Sequence, residues 1–192
     1  MRSFIKSQLW PAVSILLAFT VITGFIYPAA VTAVSQVIFP SQANGSMITV
    51  DGTTLGSSLI GQAFDDPKYF SGRPSAAGAG YDATLSGGSN LAPTSQVLID
   101  RITAQVDALR LANGDAPIPV DLVTTSASGL DPDISPAAAE YQVHRVAQAR
   151  GMTDDQVRAL VSKHTSQPFL GFIGAASVNV LEVNLDLDGL LK

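Results

Sequence analysis

The first pattern in the chain is a long apolar run near its start. Residues 7–50 contain no Asp, Glu, Lys or Arg, and residues 9–26 are predominantly apolar. Eighteen residues in an α-helix extend about 27 Å, close to the hydrocarbon thickness of a bilayer, which is about 30 Å. We therefore predict a transmembrane anchor helix over residues 9–39. Pro28 disfavours a helical conformation at Tyr27, so the helix is expected to kink or end there.

After residue 40 the pattern changes to short segments typical of a folded domain. Residues 47–50 and the turn Asp51-Gly52 indicate a hairpin, with a return strand within residues 55–64. Residues 118–124 are expected to be extended. Residues 177–187 are expected to form a strand because their valines and leucines alternate. Two or three helices are predicted between these segments, and their capping residues are Pro93 to Gly114, Ser135 to Gly151, and Thr153 with Gln156 onward.

A segment without a regular pattern, residues 65–93, is rich in Gly, Ser, Pro and Ala but also carries aromatic side chains. A flexible linker would not need those aromatics, whereas an ordered loop can be pinned by them, and long ordered loops are often functional. For Arg73 an internal staple and a partner contact are equally compatible with the sequence. The predicted partner-binding residues are Tyr69, Phe70, Arg73, Tyr81, Ser89 and Asn90.

Charge predicts how the chain lies in the membrane. Arg2 and Lys6 precede the apolar run, so the positive-inside rule places residues 1–8 in the cytoplasm and residues 40–192 outside. The predicted fold class is α+β: a single N-terminal transmembrane helix followed by one extracytoplasmic α+β domain. A cleaved signal peptide is the alternative for the same run, but its apolar region would be shorter. Within the span, Thr20, Thr23 and Gly24 are candidates for helix packing, although small residues are common in any membrane helix.

Composition excludes some classes of partner and some kinds of chemical site. Beyond the span, nine Lys and Arg face 16 Asp and Glu, a formal charge of −7 that argues against nucleic acid and anionic membrane surfaces. Cysteine is absent, which excludes disulfides and thiolate sites. The two histidines, twenty residues apart, fit no metal-ligand spacing, so no metal site is expected.

The sequence contains no complete catalytic motif. Leu85-Ser86-Gly87-Gly88-Ser89 is similar to the signature of ATP-binding cassettes, but the chain has no P-loop, and a structural glycine turn is favoured. A hydrolase using Ser126, Ser128 and His164 lacks a nucleophile motif. No catalytic residue and no directly bound cofactor is therefore predicted.

Several short stretches of the chain can be read together. They are Gly61-Gln62-Ala63-Phe64, Pro67-Lys68-Tyr69-Phe70, Gly72-Arg73-Pro74-Ser75-Ala76, Tyr81 with Ser86-Gly87-Gly88-Ser89-Asn90-Leu91 and Pro93, Pro119-Val120-Asp121-Leu122-Val123-Thr124-Thr125-Ser126-Ala127-Ser128-Gly129-Leu130-Asp131-Pro132 with Ile134-Ser135-Pro136, Ala149-Arg150-Gly151 and Val178-Asn179-Val180-Leu181. Together they resemble one family, the C chain of the Kdp-type potassium-transporting ATPase, and they follow that family's order from anchor to tail. The chain departs from the family's usual pattern at Asp133, where histidine is usual, and at Ser177, where a basic residue is usual.

The resemblance implies an accessory subunit of a potassium importer in the cell membrane. Its implied partners are a channel-like potassium-binding subunit, an ATP-hydrolysing P-type subunit and the lipid bilayer, and the complex, not this chain, handles ATP and K⁺. For the family, a role as a catalytic chaperone that raises the pump subunit's affinity for ATP has been proposed. An extracytoplasmic domain would not meet cytoplasmic ATP, which favours a role in assembly or at the outer ion entrance. The alternative is a stand-alone, signal-anchored binding module.

Overall fold

The structure is a computed structural model that describes residues 2–191, with side chains from Ser7 onward. Arg2 and Lys6 of the predicted cytoplasmic tail therefore lie outside the described side chains, and Met1 and Lys192 lie outside the described chain. The chain divides into two compact units, residues 1–47 and residues 48–192. Helices and strands together make it a mixed α and β protein with one long apolar N-terminal helix.

The first unit is dominated by that helix. It consists of α1 (Arg2–Val21), a π-helical turn (Ile22–Ile26) and α2 (Tyr27–Ile38). Ser7–Ile38 is long and apolar enough to cross a membrane and is unburied within the protein. The helix thus begins before residue 9 and ends one residue before the predicted boundary at 39.

The helix does not end at Pro28, and Tyr27 is helical, contrary to the expectation for a residue before proline. Pro28 has no N–H to donate to the Gly24 carbonyl, and its ring would clash with that carbonyl in a regular α-helix. The π-turn widens the backbone here, and the Tyr27 N–H bonds to Ile22 O, five residues back. The extra residue in the turn accommodates the proline without breaking the span.

The first unit closes just after α2 with a short helix, α3 (Pro40–Ala43). The amides of Gln36 and Asn44 donate to each other's oxygens at 3.1 and 3.0 Å. Asn44 also donates to Pro40 O at 2.7 Å. These bonds hold the turn at the end of the apolar helix.

The second unit starts with the predicted hairpin. Strands β1 (Met47–Val50) and β2 (Thr53–Ser57) flank the Asp51-Gly52 turn, where both residues have positive φ. The return strand is therefore shorter and earlier than residues 55–64. A loop of residues 58–95, called here the long loop, leads to α4 (Gln96–Asn113), which ends at Gly114 as predicted. Residues 118–124 contain a 3₁₀ turn (Val120–Leu122) instead of an extended segment.

The core lies between two helices and a small sheet. Helix α5 (Pro136–Arg150) begins and ends at the predicted capping residues, and α6 (Asp154–Lys163) begins at the predicted capping box of Thr153 and Gln156, which is complete. The sheet is antiparallel in the order β3 (Asp133–Ile134), β5 (Ser177–Asn179), β4 (Thr165–Ser166). The buried side chains that join these elements include Phe70, Leu122, Ile134, Val143, Val146, Val157, Val178 and Val183.

The predicted C-terminal strand over residues 177–187 is wrong after Asn179. The chain turns there into helix α7 (Val180–Leu187). Asn179 caps this helix, because its side chain accepts a hydrogen bond from Glu182 N at 3.1 Å. Three adjacent residues, Val183, Asn184 and Leu185, are buried, so the apparent alternation came from a helix with a wide buried face.

Candidate functional site

The long loop, which carries all the predicted partner-binding residues, is fixed to the core by buried polar side chains. Phe70 is fully buried and anchors the loop from within. Its backbone N–H donates to Asn184 Oδ1 at 2.8 Å, and Asn184 Nδ2 donates back to Phe70 O at 2.9 Å. Asn184 is itself 1% exposed. Its amide therefore pairs with the loop as a neighbouring strand would.

A second buried amide repeats this arrangement one residue later. Gln142 Oε1 accepts from Ser71 N at 2.9 Å, and Gln142 Nε2 donates to Ser71 O at 3.1 Å. Gln142 is 1% exposed. Both polar groups of two successive loop residues are thus satisfied by side chains from α5 and α7, which is necessary for backbone at this depth.

Two arginines of α5 hold the segment just before these residues. Arg145 donates to the carbonyls of Pro67 and Tyr69, and burial lowers the pKa of its guanidinium. Arg150 donates to Lys68 O at 2.7 Å, to Leu187 O at 2.8 Å and to Asp188 at 2.8 Å. The loop is consequently tied to the C-terminal helix through one side chain.

Tyr69 lies at the edge of this arrangement. Its hydroxyl donates to Asp188 Oδ2 at 2.7 Å, and its ring lies 5.0 Å from the Arg150 guanidinium. The hydrogen bond to Asp188 raises the pKa of the Tyr69 phenol, since ionisation would place two negative charges together. Burial raises the pKa of Asp188, but the donors from Tyr69 and Arg150 outweigh it, and the net pKa is lowered.

Arg73 serves as an internal staple. Its guanidinium donates to the carbonyls of Thr124 and Thr125 at 3.4 and 3.3 Å and pairs with Asp131 at 3.1 Å. The Tyr81 hydroxyl donates to Arg73 O at 2.6 Å. Burial raises the pKa of Tyr81, with smaller contributions from Asp65 and Asp131. Arg73 keeps 24% of its side chain exposed, so an additional contact with a partner stays a prediction.

The glycine-rich end of the long loop is a structural turn. Gly87 N donates to Ser128 O at 2.8 Å, and Ser86 Oγ donates to the same carbonyl at 3.0 Å. A side chain at Gly129 would meet Gly87 O at 2.6 Å, so the two backbones approach more closely than any other residue would permit. Asn90 is exposed and has a positive φ of 51°, while Ser89 is half-buried.

Of the six predicted contact residues, Asn90 therefore presents the most open surface. Tyr69, Arg73, Tyr81 and Ser89 are half-buried, and Phe70 is fully buried in this conformation. Phe70 consequently supports the loop from the core side. The sequence pattern did not single out Gln142 and Asn184 as its main clamps. The available signal was an amide on an otherwise apolar helix face, between Ala138, Ala139 and Val143 for Gln142.

A shallow cleft of about 510 Å³ lies beside Arg73. Its carboxylates already have partners. Asp121 accepts from Ser135 N at 2.7 Å, next to the residue that caps α5, and Asp133 accepts from Ser177 Oγ at 2.7 Å. The two positions that depart from the family pattern, 133 and 177, are thus hydrogen-bonded to each other. Within residues 7–191, no group of three acidic or histidine side chains is arranged to hold a metal ion.

The histidines and the serines considered for a hydrolase lie in separate environments. Ser126 and Ser128 accept hydrogen bonds from Gly129 N and Leu130 N and so build their own turn. His164, which is 10% exposed, contacts Asp186 Oδ2 at 2.8 Å and Glu182 Oε2 at 3.4 Å. Lys163 Nζ donates to the same Asp186 oxygen at 2.8 Å. His144 is 79% exposed beside Asp154.

In the apolar helix, the candidate packing residues have little internal role. Thr20 and Thr23 donate to Leu16 O and Phe19 O at 2.8 and 2.6 Å, so their hydroxyls are satisfied in an apolar surrounding. Gly24 lies in the π-turn, and a side chain added there would meet no atom of the chain within 4 Å. These three residues are free to contact either lipid or another helix.

Comparison with known proteins identifies the family. The family model described as "K+-transporting ATPase, c chain" matches residues 9–189. The chain belongs to this family. The match includes both the apolar helix and the following domain, so the two units correspond to one subunit and not to a fusion with an unrelated anchor.

Named relatives cover nearly the whole length of the chain. The "Potassium-transporting ATPase KdpC subunit" of Koribacter versatilis is 52% identical over 184 residues, which is 96% of this chain and 95% of the relative. The protein of that name from Herpetosiphon aurantiacus is 54% identical over 191 residues, 98% of this chain and 97% of the relative. That from Sorangium cellulosum is 54% identical over 95% of this chain and 98% of the relative.

The stretches that resemble the c-chain family meet in one place in the second unit. Gly61 N donates to Leu130 O at 2.8 Å, and Ser75 Oγ donates to Gly129 O at 2.6 Å. With Arg73 on Thr124 and Gly87 on Ser128, the first two family stretches both pack on the third. Three sequence motifs of the c-chain family thus form a single ordered surface, called here the motif surface: residues 61–76, 81–93 and 119–136.

Proposed function

We propose that this chain is the accessory, non-catalytic subunit of an ATP-driven potassium importer, held in the cell membrane by one span with its domain on the outer side. The single observation that carries the proposal is the family match over residues 9–189, which covers span and domain together. The relatives named above are subunits of potassium-transporting ATPases, and their matches extend over nearly the full chain. The proposed partners are a channel-like potassium-binding subunit and an ATP-hydrolysing P-type subunit.

The proposed orientation rests on charge. Arg2 and Lys6 precede the span, whereas the twelve residues from 39 to 50 that follow it carry no Lys or Arg. Basic residues close to a span stay in the cytoplasm, so the domain is placed outside. An alkaline phosphatase fused after the last residue should be active, and a fluorescent protein that matures only in the cytoplasm should stay dark there. The opposite pair of results would contradict the orientation.

An outer domain affects ATP use only indirectly. The catalytic-chaperone effect proposed for the family, a raised affinity of the pump subunit for ATP, would then be transmitted through contacts between subunits. We expect removal of this chain to abolish potassium uptake by the pump at low external K⁺. We also expect no labelling of this chain by a photoreactive ATP analogue in the intact complex. Unimpaired uptake without the chain would contradict the accessory role, and specific labelling would contradict the indirect effect.

For docking, we propose that the span packs on partner helices through Thr20, Thr23 and Gly24, and that the exposed rim of the motif surface around Ser89 and Asn90 meets the channel-like subunit. Gly24→Leu adds bulk at a position where a Cβ meets no atom of the chain within 4 Å, so we expect a loss of co-purifying pump subunits to come from a partner helix. Ala18→Leu is the matched control, because Ala18 lies about 160° around the helix from Thr20. Equal yields of complex with both variants would contradict packing through this face.

A further inference from the structure

A short turn in the second unit presents large apolar side chains to the solvent. This turn, residues 168–174, is called here the apolar knob. Phe169, Leu170, Phe172 and Ile173 are 52–75% exposed. Residues 165–181 contain no charged side chain, and residues 168–176 contain no polar side chain at all. Such a concentrated apolar protrusion is typical of an interaction surface.

The backbone of the knob satisfies its own hydrogen bonds. Phe169 N donates to Ile173 O and Ile173 N donates to Phe169 O, both at 2.9 Å. Inside this pair, Gly171 N donates to Pro168 O at 2.9 Å and Phe172 N to Phe169 O at 3.3 Å. A backbone that enters an apolar medium must not leave its N–H groups unpaired. The knob meets this requirement at four of its N–H groups without a partner.

The conformation of Leu170 also points away from a purely structural turn. Leu170 has a φ of 53°, a region that bulky side chains rarely adopt, and its side chain is 69% exposed. Glycine would adopt this conformation without strain. A leucine held there, with little of its surface buried, contributes apolar area at the tip and little to the core.

The occupant that these features favour is a lipid bilayer. Protein interfaces also use Phe, but they combine it with Tyr, Trp, Met or Arg and with a polar, hydrogen-bonding rim. Residues 168–176 contain none of those other residue types and no polar side chain. Interfacial membrane contacts instead use Phe and Leu that enter the boundary between headgroups and acyl chains. A bilayer is also near, because only the nine residues 39–47 separate the proposed membrane span from the second unit.

We propose that the apolar knob inserts into the lipid interface of the bilayer that holds the protein's span. The lipid class is zwitterionic, because the chain beyond the span carries a formal charge of −7 and has no electrostatic attraction to an anionic surface. The proposal rests on the anchoring put forward above, but it does not depend on which subunits the chain meets.

The test uses the full chain reconstituted into vesicles of dioleoylphosphatidylcholine. Trp10 is the sole tryptophan, so a Trp10→Phe background accepts a reporter at Phe172→Trp, which is conservative and 75% exposed. Leu111→Trp in the same background is the matched control, on a side chain that is 91% exposed in α4. We expect blue-shifted emission from Trp at 172 and a loss of its intensity when the acyl chains are brominated near the headgroup, with neither change at 111.

The unmodified protein separates the two proposals. Quenching of Trp10 by the same lipids reports insertion of the span. Quenched Trp10 together with unquenched Trp at 172 would overturn the knob proposal and leave the anchoring intact. The reverse result would support the knob and contradict the anchoring. If Trp at 172 is unquenched in vesicles and becomes shielded from aqueous acrylamide only in the assembled pump, the knob is a protein contact and the lipid proposal is wrong.

Discussion

The second unit contains two irregular segments that remain ordered for opposite reasons. The long loop, residues 58–95, is rich in Gly, Ser and Pro, yet its centre lies in the core and is held by side chains of distant helices. The apolar knob, residues 168–174, is rich in Phe, Leu and Ile, yet its side chains face solvent and its hydrogen bonds are internal. Composition alone would have placed the polar segment outside and the apolar segment inside.

The difference shows that the fate of the backbone polar groups decides where such a segment lies. Phe70 is buried and Ser71 is half-buried, and two amides, Asn184 and Gln142, replace water for their N–H and C=O groups. The knob needs no such clamp, since its turn closes on itself. The loop can therefore be released by single substitutions elsewhere in the chain, whereas the knob should be insensitive to them.

The largest effect is expected from Gln142→Leu. This change keeps the approximate shape but leaves the N–H and C=O of Ser71 buried without partners, which costs roughly 2–4 kcal/mol of unfolding free energy. Denaturant unfolding of the full-length protein in detergent micelles, followed by near-ultraviolet circular dichroism, measures the loss. Gln148→Leu is the matched control in the same helix, on an exposed side chain, with an expected change within about 0.5 kcal/mol. Equal losses would show that the amide clamp is not what fixes the loop.

This clamp also marks the limit of what the sequence predicted. Both ends of α5 and the start of α6 are predicted correctly, because Ser135-Pro136, Gly151 and the Thr153 box act within a few residues. The hairpin at Asp51-Gly52 was predicted for the same reason. The pairing of Ser71 with Gln142 joins residues 71 positions apart, and that of Phe70 with Asn184 joins residues 114 apart. No local pattern encodes such a separation.

The wrong strand over residues 177–187 has a local explanation. The alternation of valine and leucine predicts a strand, whereas Asn179 followed three residues later by Glu182 indicates the start of a helix, and the structure follows the second signal. The candidate site was predicted in part: Arg73 was recognised as either a staple or a contact, and the structure supplies the staple geometry. The sequence did not predict that Phe70 is buried, because its position between Tyr69 and Ser71 does not show whether its side chain faces the core or the solvent.

A somewhat smaller effect is expected from Arg150→Met, which removes the three bonds that Arg150 donates to Lys68 O in the long loop, to Leu187 O in α7 and to Asp188 just after α7. The stem of methionine fills part of the volume, but the Lys68 and Leu187 carbonyls lose their donor, at a cost of about 1–3 kcal/mol. Arg158→Met is the control, because Arg158 is an exposed arginine paired with Glu140 and should matter far less. Hydrogen exchange should quicken at residues 69–71 in Arg150→Met alone. Unchanged exchange there would show that Arg150 does not help to hold residues 69–71 in place.

The ion pairs between the end of α6 and α7 offer a smaller, pH-dependent effect. Lys163 donates to Asp186, His164 adds a second contact, and together they outweigh burial and lower the pKa of Asp186. A carboxyl group with a lowered folded-state pKa contributes stability that is present above its unfolded pKa, about 3.9, and is lost as the pH falls through the folded value. The melting temperature should therefore fall below about pH 4. Asp186→Asn should flatten that fall, with Lys163, His164 and Glu182 left in place. An identical acid profile in both proteins would contradict this assignment.

The smallest effect is expected at the tip of the knob, where removing the Leu170 side chain should not lower the free energy of unfolding. Leu170→Gly relieves a left-handed conformation at an exposed residue, so the unfolding free energy should stay the same or rise, by up to about 1 kcal/mol. Phe172→Gly, at a residue without positive φ, should instead lower it by up to about 1 kcal/mol. Denaturant unfolding measures these two opposite signs. A smaller blue shift of the Trp emission from position 172 in phosphatidylcholine vesicles, measured in the Leu170→Gly background, would then show that Leu170 serves contact with lipid and not folding. A clear loss of stability in Leu170→Gly would instead assign Leu170 a packing role and place the knob in the same class as the long loop.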